Sequence, residues 1–258
     1  GVLVMPWERR EDNGICYYRS CLLASFSWLR QAFSTRVPAP GTTGVDAERT
    51  VGIKDQTGLA DYFALFGLTF DRVQMVKQVH GDGVLVVDEP QSGKELPAAD
   101  GMITNRSGVG LVTVHADCVP VVLVDPVRRV IGAVHAGWKG TLAGIVPKTI
   151  ARMEEEYGSR AVDCWAAIGP AIGGCCYRVS PERINLFREK WPLLDLTKAS
   201  KESILDLAAI NRRFLEDLGV KPGHIDQAGL CTACQGADFY SFRRGQATGR
   251  MLSLIVMK

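Results

Sequence analysis

The chain has 258 residues, 47% of them hydrophobic, and a formal net charge of +2 at pH 7. That length lets folding bury roughly 70–75% of the unfolded surface, and so small a charge leaves no basic footprint for nucleic acid. No apolar run approaches the roughly 20 residues needed to span a bilayer, and no charged-then-apolar leader opens the sequence, so a globular cytoplasmic protein without membrane or nucleic-acid partners is expected. Its eight cysteines are spread over a long chain without an export signal, which predicts reduced thiols rather than a disulfide framework.

Residues 1–25 mix Trp7, a charged run from Glu8 to Asp12, and Tyr17-Tyr18 without a readable period. They are set apart as an N-terminal extension of uncertain structure, and residues 26–258 are read as one domain. Trp28 to Arg36 alternates as a strand, and Pro38, Pro40 and Gly41 to Gly44 make a loop. Asp46 to Phe66 reads as helical, with Leu59, Tyr62, Phe63 and Phe66 at helical spacing and Gly67 as its C-cap. Val73 to His80 alternates as a strand that Gly83 to Val87 would continue. Pro90 to Asp100 is a polar loop, and Gly101 to Thr104 leads into the centre of the chain.

That centre holds three β-branched runs, Val109 to Val114, Val119 to Val124 and Val130 to Val134. Breaks at Ala116-Asp117-Cys118 and Asp125-Pro126 predict a buried strand, a kink and a hairpin. A helix is expected after Gly140 to about Tyr157, with Pro147 kinking it or delaying its start. Cys164 to Ile168 is a short strand, followed by the Gly-rich turn Gly169 to Tyr177. This turn lacks the strand, GxGxxG and helix context of a dinucleotide site and is read as a close-packed wall of a pocket. Ser180-Pro181 starts a helix that runs to about Trp191. Asp206 to Leu218 is another helix, stopped by Gly219 and Pro222, and Ile225 to Leu230 and Leu252 to Met257 are closing strands.

The four histidines are His80, His115, His135 and His224. His80 and His135 end predicted strands, and Cys118 lies between them in sequence. Zinc accepts imidazole and thiolate, and a catalytic site supplies three protein ligands while keeping one position open. The separations match no compact zinc-finger pattern, so ordinary histidines with a buried thiol stand beside the metal reading. Without a metal, Cys118 would be a thiolate nucleophile and His135 its base. Asp117 is either a partner that orients an imidazole or a turn carboxylate. Cys175-Cys176 and Cys231-x-x-Cys234 are read as buried structural thiols, because neither pair has a second ligand pair at finger spacing. His224, after Pro222-Gly223, is expected in an exposed loop.

Gln78-Val79-His80, Ala116-Asp117-Cys118-Val119-Pro120-Val121, His135-Ala136-Gly137-Trp138-Lys139-Gly140, and Ile168-Gly169-Pro170 through Cys175-Cys176-Tyr177 follow one another in order. Asp206 with Asn211, Cys231-Thr232, Phe239 to Arg244 and Thr248-Gly249-Arg250 continue the series. From about Trp28 to the C-terminus this pattern resembles the YfiH family, also called the laccase-domain or multicopper polyphenol oxidase family, and purine nucleoside phosphorylase. The resemblance implies an α+β fold in which mixed β-sheets pack between α-helices as a layered sandwich in a single catalytic domain. It implies a zinc site in which His80, Cys118 and His135 are ligands and catalytic residues, with copper an adventitious occupant. The implied substrates are phosphate and a purine nucleoside (adenosine, inosine, guanosine or methylthioadenosine), together with deamination of adenosine. Removal of a wrong amino acid from a cell-wall precursor is a related hydrolase reading, and copper-dependent phenol oxidation is ranked low, because four histidines are too few for that chemistry. Arg36 matches the family's Thr-Arg motif and offers a planar fork for phosphate, with a surface arginine as the alternative. Lys139, Arg243 and Arg244 are weaker candidates of the same kind. His115 stands where the family commonly has Thr, and Val37-Pro38-Ala39-Pro40 replaces its usual Gly-Gly-Val-Ser loop.

Overall fold

Among the described residues, the β-branched and aromatic runs of the sequence fold as twelve strands. In the computed structural model the described residues are 7–36, 57–91, 95–196, 203–245 and 249–258. The strands are β1 (Trp7–Asp12), β2 (Ile15–Ser20), β3 (Leu29–Ser34), β4 (Val73–Gln74), β5 (Val84–Val86), β6 (Gly101–Thr104), β7 (Gly110–His115), β8 (Val119–Asp125), β9 (Val130–Ala136), β10 (Trp165–Ile168), β11 (Ile225–Gln227) and β12 (Met251–Met257). The described helices are α1 (Cys21–Ala24), α2 (Thr57–Ala64), α3 (Trp138–Ala143), α4 (Ile145–Tyr157), α5 (Pro181–Lys190) and α6 (Leu207–Asp217). None of them is long and apolar enough to cross a membrane.

Two six-stranded mixed sheets form, in the orders β1-β2-β3-β12-β7-β4 and β11-β10-β8-β9-β6-β5. Because side chains alternate across a strand, each sheet offers two apolar faces, and the buried residues sort accordingly. Phe33, Leu111, Ile255 and Met257 of the first sheet meet Met102, Val122, Val124, Ile131 and Ala133 of the second. The outer face of the first sheet, through Val112, Leu252 and Leu254, packs on Leu59, Tyr62 and Phe63 of α2. The outer face of the second, through Val121, Leu123 and Val134, packs on Ile145, Ile150 and Met153 of α4, Phe187 of α5 and Phe214 of α6. Helix, sheet, sheet and helices therefore stack as four layers, the expected α+β sandwich.

The central stretch crosses between these layers. β7 belongs to the first sheet and β8 to the second, and the chain changes sheet at Asp117, whose φ of 84° lies in the left-handed region. The β8–β9 hairpin pairs Pro120 with His135 and Val119 with Ala136. Its turn is closed by Asp125, which accepts the amides of Val127 at 2.8 Å and Arg128 at 3.1 Å, the turn chemistry expected of an Asp-Pro break.

Local sequence signals set most helix ends. The turn that follows α2 ends at Gly67 (φ 74°), beyond which the Leu68 amide reaches the Phe63 carbonyl at 3.1 Å, a left-handed glycine end. The segment after Gly137 is split by Gly144 (φ 83°) into α3 and α4, so Pro147 falls in the first turn of α4, where its missing amide leaves no bond unmade. α5 begins at Pro181 behind Ser180, and Asp206 caps α6 by accepting the Ala209 amide at 2.9 Å.

Two expectations change, besides that for Gly83 to Val87, where β5 pairs with β6 in the second sheet instead of continuing β4. Val73 to His80 is a strand only at Val73–Gln74, which pairs in parallel with Gly110 and Leu111 of β7. Beyond that point the Gln78 side-chain amide takes both backbone groups of Val114, at 2.7 and 2.8 Å, so a side chain fills the ladder position that a longer β4 would occupy. The second concerns the N-terminus. Residues 7–25 are β1, β2 and α1, and β2 pairs with β3 at Tyr17–Ser34 and Tyr18–Phe33, so no structural boundary falls at residue 25. Val37 to Pro40, residues 41–56 and Thr248 lie outside the described residues.

Candidate metal centre

Three chain turns deliver the centre. His80 follows the Gln78 clamp and has φ of 59°, Cys118 follows the Asp117 kink, and His135 is the penultimate residue of β9. Their donor atoms lie within 4.8 Å of one another, and the two imidazoles meet edge to face with centroids 4.9 Å apart. His80 is exposed, Cys118 intermediate and His135 buried, so the set opens to solvent on the His80 side. Gly137 lines it closely, because a Cβ there would stand 3.1 Å from Cys118 Sγ and 3.1 Å from His80 Cδ2.

One carboxylate organises this geometry. Asp100 is fully buried, and its Oδ1 pairs with His135 Nδ1 at 2.8 Å and accepts the His80 amide at 3.0 Å. Its Oδ2 accepts the amides of Val79 at 3.2 Å and Gly81 at 2.7 Å. Burial opposes its ionisation, but the bonds from His135 and from these amides outweigh it and hold the carboxyl below its ordinary value. With Nδ1 engaged, His135 turns Nε2 toward the other donors. Burial likewise opposes charge on Cys118 and His135, but their mutual hydrogen bond and charge, with His80 beside the thiol and Asp100 behind the imidazole, prevail. Cys118 is brought down to about 6 and His135 pushed up to about 9.

Two imidazoles, a thiol lowered to about 6 and an oriented Nε2 form the donor chemistry that zinc takes in sites with three protein ligands, and the carboxylate behind a ligating histidine is its usual orienting partner. The residues fit the metal that the sequence resemblance implies.

A wall of alternating rings and guanidiniums runs beside the centre. The Arg183 guanidinium lies 4.2 Å over the Trp138 ring and donates to the Tyr177 hydroxyl at 3.3 Å, and the Arg243 guanidinium lies 5.2 Å over the Tyr177 ring. Arg243 is tied to the Cys118 turn by its amide, which donates to Asp117 Oδ2 at 2.7 Å. Lys139 is exposed, its ammonium 5.8 Å from the Trp138 ring. Arg36 lies against the 236–240 loop, donating to the Gly236 carbonyl at 2.8 Å with its guanidinium 5.1 Å over Tyr240. Arg244 donates to the carbonyls of Ala233 and Phe239.

Asp117 takes the turn-carboxylate reading, since it accepts from Thr232 Oγ1 at 2.6 Å and from the Arg243 amide and touches neither imidazole. Asp100 does what was considered for Asp117, and only its place at the end of a polar loop before an apolar strand hinted at it. Arg183 had no signal at all. His115 is buried with its Nε2 on Ser253 Oγ at 2.8 Å and no partner on Nδ1, and burial, with the His135 charge, drives it down to about 3. His224 is half-buried rather than exposed, stacked on Trp165 at 3.8 Å. Cys175 and Cys234 are exposed and Cys176 is intermediate, so buried packing describes only Cys231 of that group.

Known proteins agree with this architecture. A family profile described as multi-copper polyphenol oxidoreductase laccase matches residues 46–258. The chain is 36% identical to the purine nucleoside phosphorylase YlmD of Bacillus subtilis over 217 residues, covering 80% of this chain and 77% of that protein. Its fold is similar to the crystal structure of YlmD from Geobacillus stearothermophilus, with TM-score 0.86, 28% identity, and coverage of 98% and 100% of the two chains. The crystal structure of the Bacillus licheniformis hypothetical protein YfiH matches with TM-score 0.85 and 30% identity, covering 97% of this chain and 99% of that one.

Proposed function

We propose, on the premise that this chain belongs to the laccase-domain family of the multi-copper polyphenol oxidoreductase description, that it is a zinc-dependent purine nucleoside phosphorylase with adenosine deaminase activity. The phosphorylase name of its relatives supports the reaction class. The observation that carries the reading is the His80–Cys118–His135 set, graded from exposed to buried and held by one buried carboxylate. His80, Cys118 and His135 would hold the zinc, which would supply Lewis acidity at this centre.

The chain's own groups do the rest. Asp100 fixes the His135 tautomer and the His80 turn together. Arg243, whose amide is tied to Asp117 beside Cys118, takes the phosphate, with Lys139 and Arg36 as further cations. The partly exposed Trp138 ring offers flat apolar surface to the purine, while the buried Tyr177 backs the wall. In phosphorolysis a phosphate oxygen bonds to the sugar C1′ as the C1′–N9 bond breaks, and the base leaves with a proton. His115 stays neutral at working pH, since its value near 3 leaves no imidazolium to donate that proton.

Zinc-loaded protein incubated with adenosine and phosphate should yield adenine with ribose 1-phosphate, and inosine where deamination competes. Release of neither free base nor inosine would end the proposal. Adenosine, inosine, guanosine and methylthioadenosine form the substrate panel.

The Cys118–His135 pair also favours a second reading, a metal-independent cysteine hydrolase acting on an amide such as a cell-wall precursor. A thiol near 6 beside an imidazole near 9, backed by Asp100, is the polarity that such a nucleophile needs. His80→Ala separates the two, because turnover that survives loss of metal favours the hydrolase. Multicopper oxidation fits poorly, since only His80 and His135 of the four imidazoles reach the centre, while His115 is bonded to Ser253 and His224 is stacked on Trp165. Copper remains an adventitious occupant of the His-Cys-His set.

A further inference from the structure

Four cysteines meet at a second point, away from His80, Cys118 and His135. Cys175 and Cys176 stand in the turn after β10, and Cys231 and Cys234 in the turn after β11, brought together by the parallel pairing of those strands and by the Ala171–Cys231 bridge. Their sulfur atoms all lie within 4.8 Å of one another. Cys176 Sγ is 3.3 Å and Cys175 Sγ 3.6 Å from Cys234 Sγ, and all four thiols are free.

We propose that Cys175, Cys176, Cys231 and Cys234 bind a single zinc ion as a closed tetrathiolate site. Four sulfurs around a tetrahedral zinc, each about 2.3 Å from the metal, stand about 3.8 Å apart. The observed contacts already approach that spacing. An iron–sulfur cluster, with several iron and sulfide atoms inside its ligand shell, holds its cysteine sulfurs farther apart.

The thiols are not grouped by apolar packing, because only Cys231 is buried while Cys175 and Cys234 face solvent. The backbone is arranged for anionic sulfur. The Gly173 amide donates to Cys231 Sγ at 3.3 Å, and the Arg244 guanidinium sits on the same turn, donating to the Ala233 carbonyl at 3.4 Å. With four thiolate ligands the ion has no open position, so this site holds structure and does no chemistry. It staples the turn that carries Tyr177 to the loop that carries Thr232, whose hydroxyl holds Asp117 at 2.6 Å. The staple thereby braces the wall and the kink beside Cys118.

Metal analysis of the full-length protein, prepared without oxygen, tests this. Two zinc ions per chain are expected, falling to one in His80→Ala/Cys118→Ser and to one in Cys175→Ser/Cys234→Ser. The first variant leaves the four cysteines intact and keeps the test decisive should the second fail to fold. Cobalt loaded into the first variant should show the intense thiolate-to-metal absorption of a tetrahedral four-sulfur site. No metal in the His80→Ala/Cys118→Ser protein, a disulfide among the four cysteines, iron with sulfide in place of zinc, or cobalt without that absorption would each overturn the proposal. Failure of phosphorolysis would leave these readouts unchanged, so the two proposals fail separately.

Discussion

Asp100 is the residue on which the centre turns, since one buried carboxylate bonds His135 and three consecutive amides around His80. Asp100→Asn keeps the shape but places an amide NH₂ among those donors and removes the charge behind the imidazole. Zinc affinity should fall about 10- to 100-fold, measured by competition with a chromophoric chelator, and an unchanged affinity would remove Asp100 from the site. Proton linkage gives a second residue-scale prediction. Between the Cys118 value near 6 and the His135 value near 9, the metal-free pair is thiolate and imidazolium, whereas zinc takes thiolate and neutral imidazole. Zinc uptake at pH 7.5 should therefore release about one proton from this pair, more below 6 and none above 9. Calorimetry in buffers of different ionisation enthalpy counts that proton, and zero release at pH 7.5 would contradict the pairing.

At the scale of elements, the α3–α4 break depends on one backbone conformation. Gly144 holds φ at 83°, and a Cβ there would lie 3.2 Å from the Trp191 ring, which is itself anchored by its indole donating to the Leu142 carbonyl at 2.9 Å. Gly144→Ala should cost about 1–2 kcal/mol for the left-handed residue, read by urea denaturation, while zinc affinity stays as it was because the donor set lies elsewhere. Elements of this kind were legible in the sequence, since β-branched runs, Ser-Pro and Asp caps and left-handed glycines act locally. What was not legible is non-local. The pattern around Asp117 marks a kink but does not say that the chain changes sheet there, and the alternation through Val73 to His80 does not show a glutamine side chain replacing the strand. Spacing alone did not join His80 to Cys118 and His135; family resemblance did. Asp100 and Arg183 looked like any other charged residues until the fold gave them neighbours. The two cysteine pairs are a further case, because the pairing of β10 with β11 brings them together and no interval in the sequence records it.

At the scale of the whole molecule, the first strands close the sandwich instead of preceding it. Trp7 packs on Phe33 at 5.0 Å, Tyr18 on Phe239 at 5.5 Å with its hydroxyl on Asp238 at 2.6 Å, and Ser20 reaches across to Asp226 of the second sheet at 2.5 Å. A chain cut to residues 26–258 would leave β3 as an open edge and uncover Phe33 and Phe239. The cut removes the buried Tyr17 and the partly buried Trp7 and Tyr18; fully burying one such side chain is worth about 1.5–3 kcal/mol, so their loss, with that of the ladder of β2 on β3, is a large fraction of the net stability of about 5–15 kcal/mol typical of a folded domain. An exposed hydrophobic edge also recruits other chains. The fragment should therefore elute as aggregate in gel filtration and lose its cooperative thermal transition, whereas the full chain keeps both a discrete elution position and a sharp melt. A soluble fragment that melts like the full chain would show that β1 and β2 are dispensable cover. The expected outcome instead makes the first sheet one cooperative unit from Trp7 to Met257, because the strand that pairs with β3 on one side and the strand that pairs with it on the other come from opposite ends of the chain.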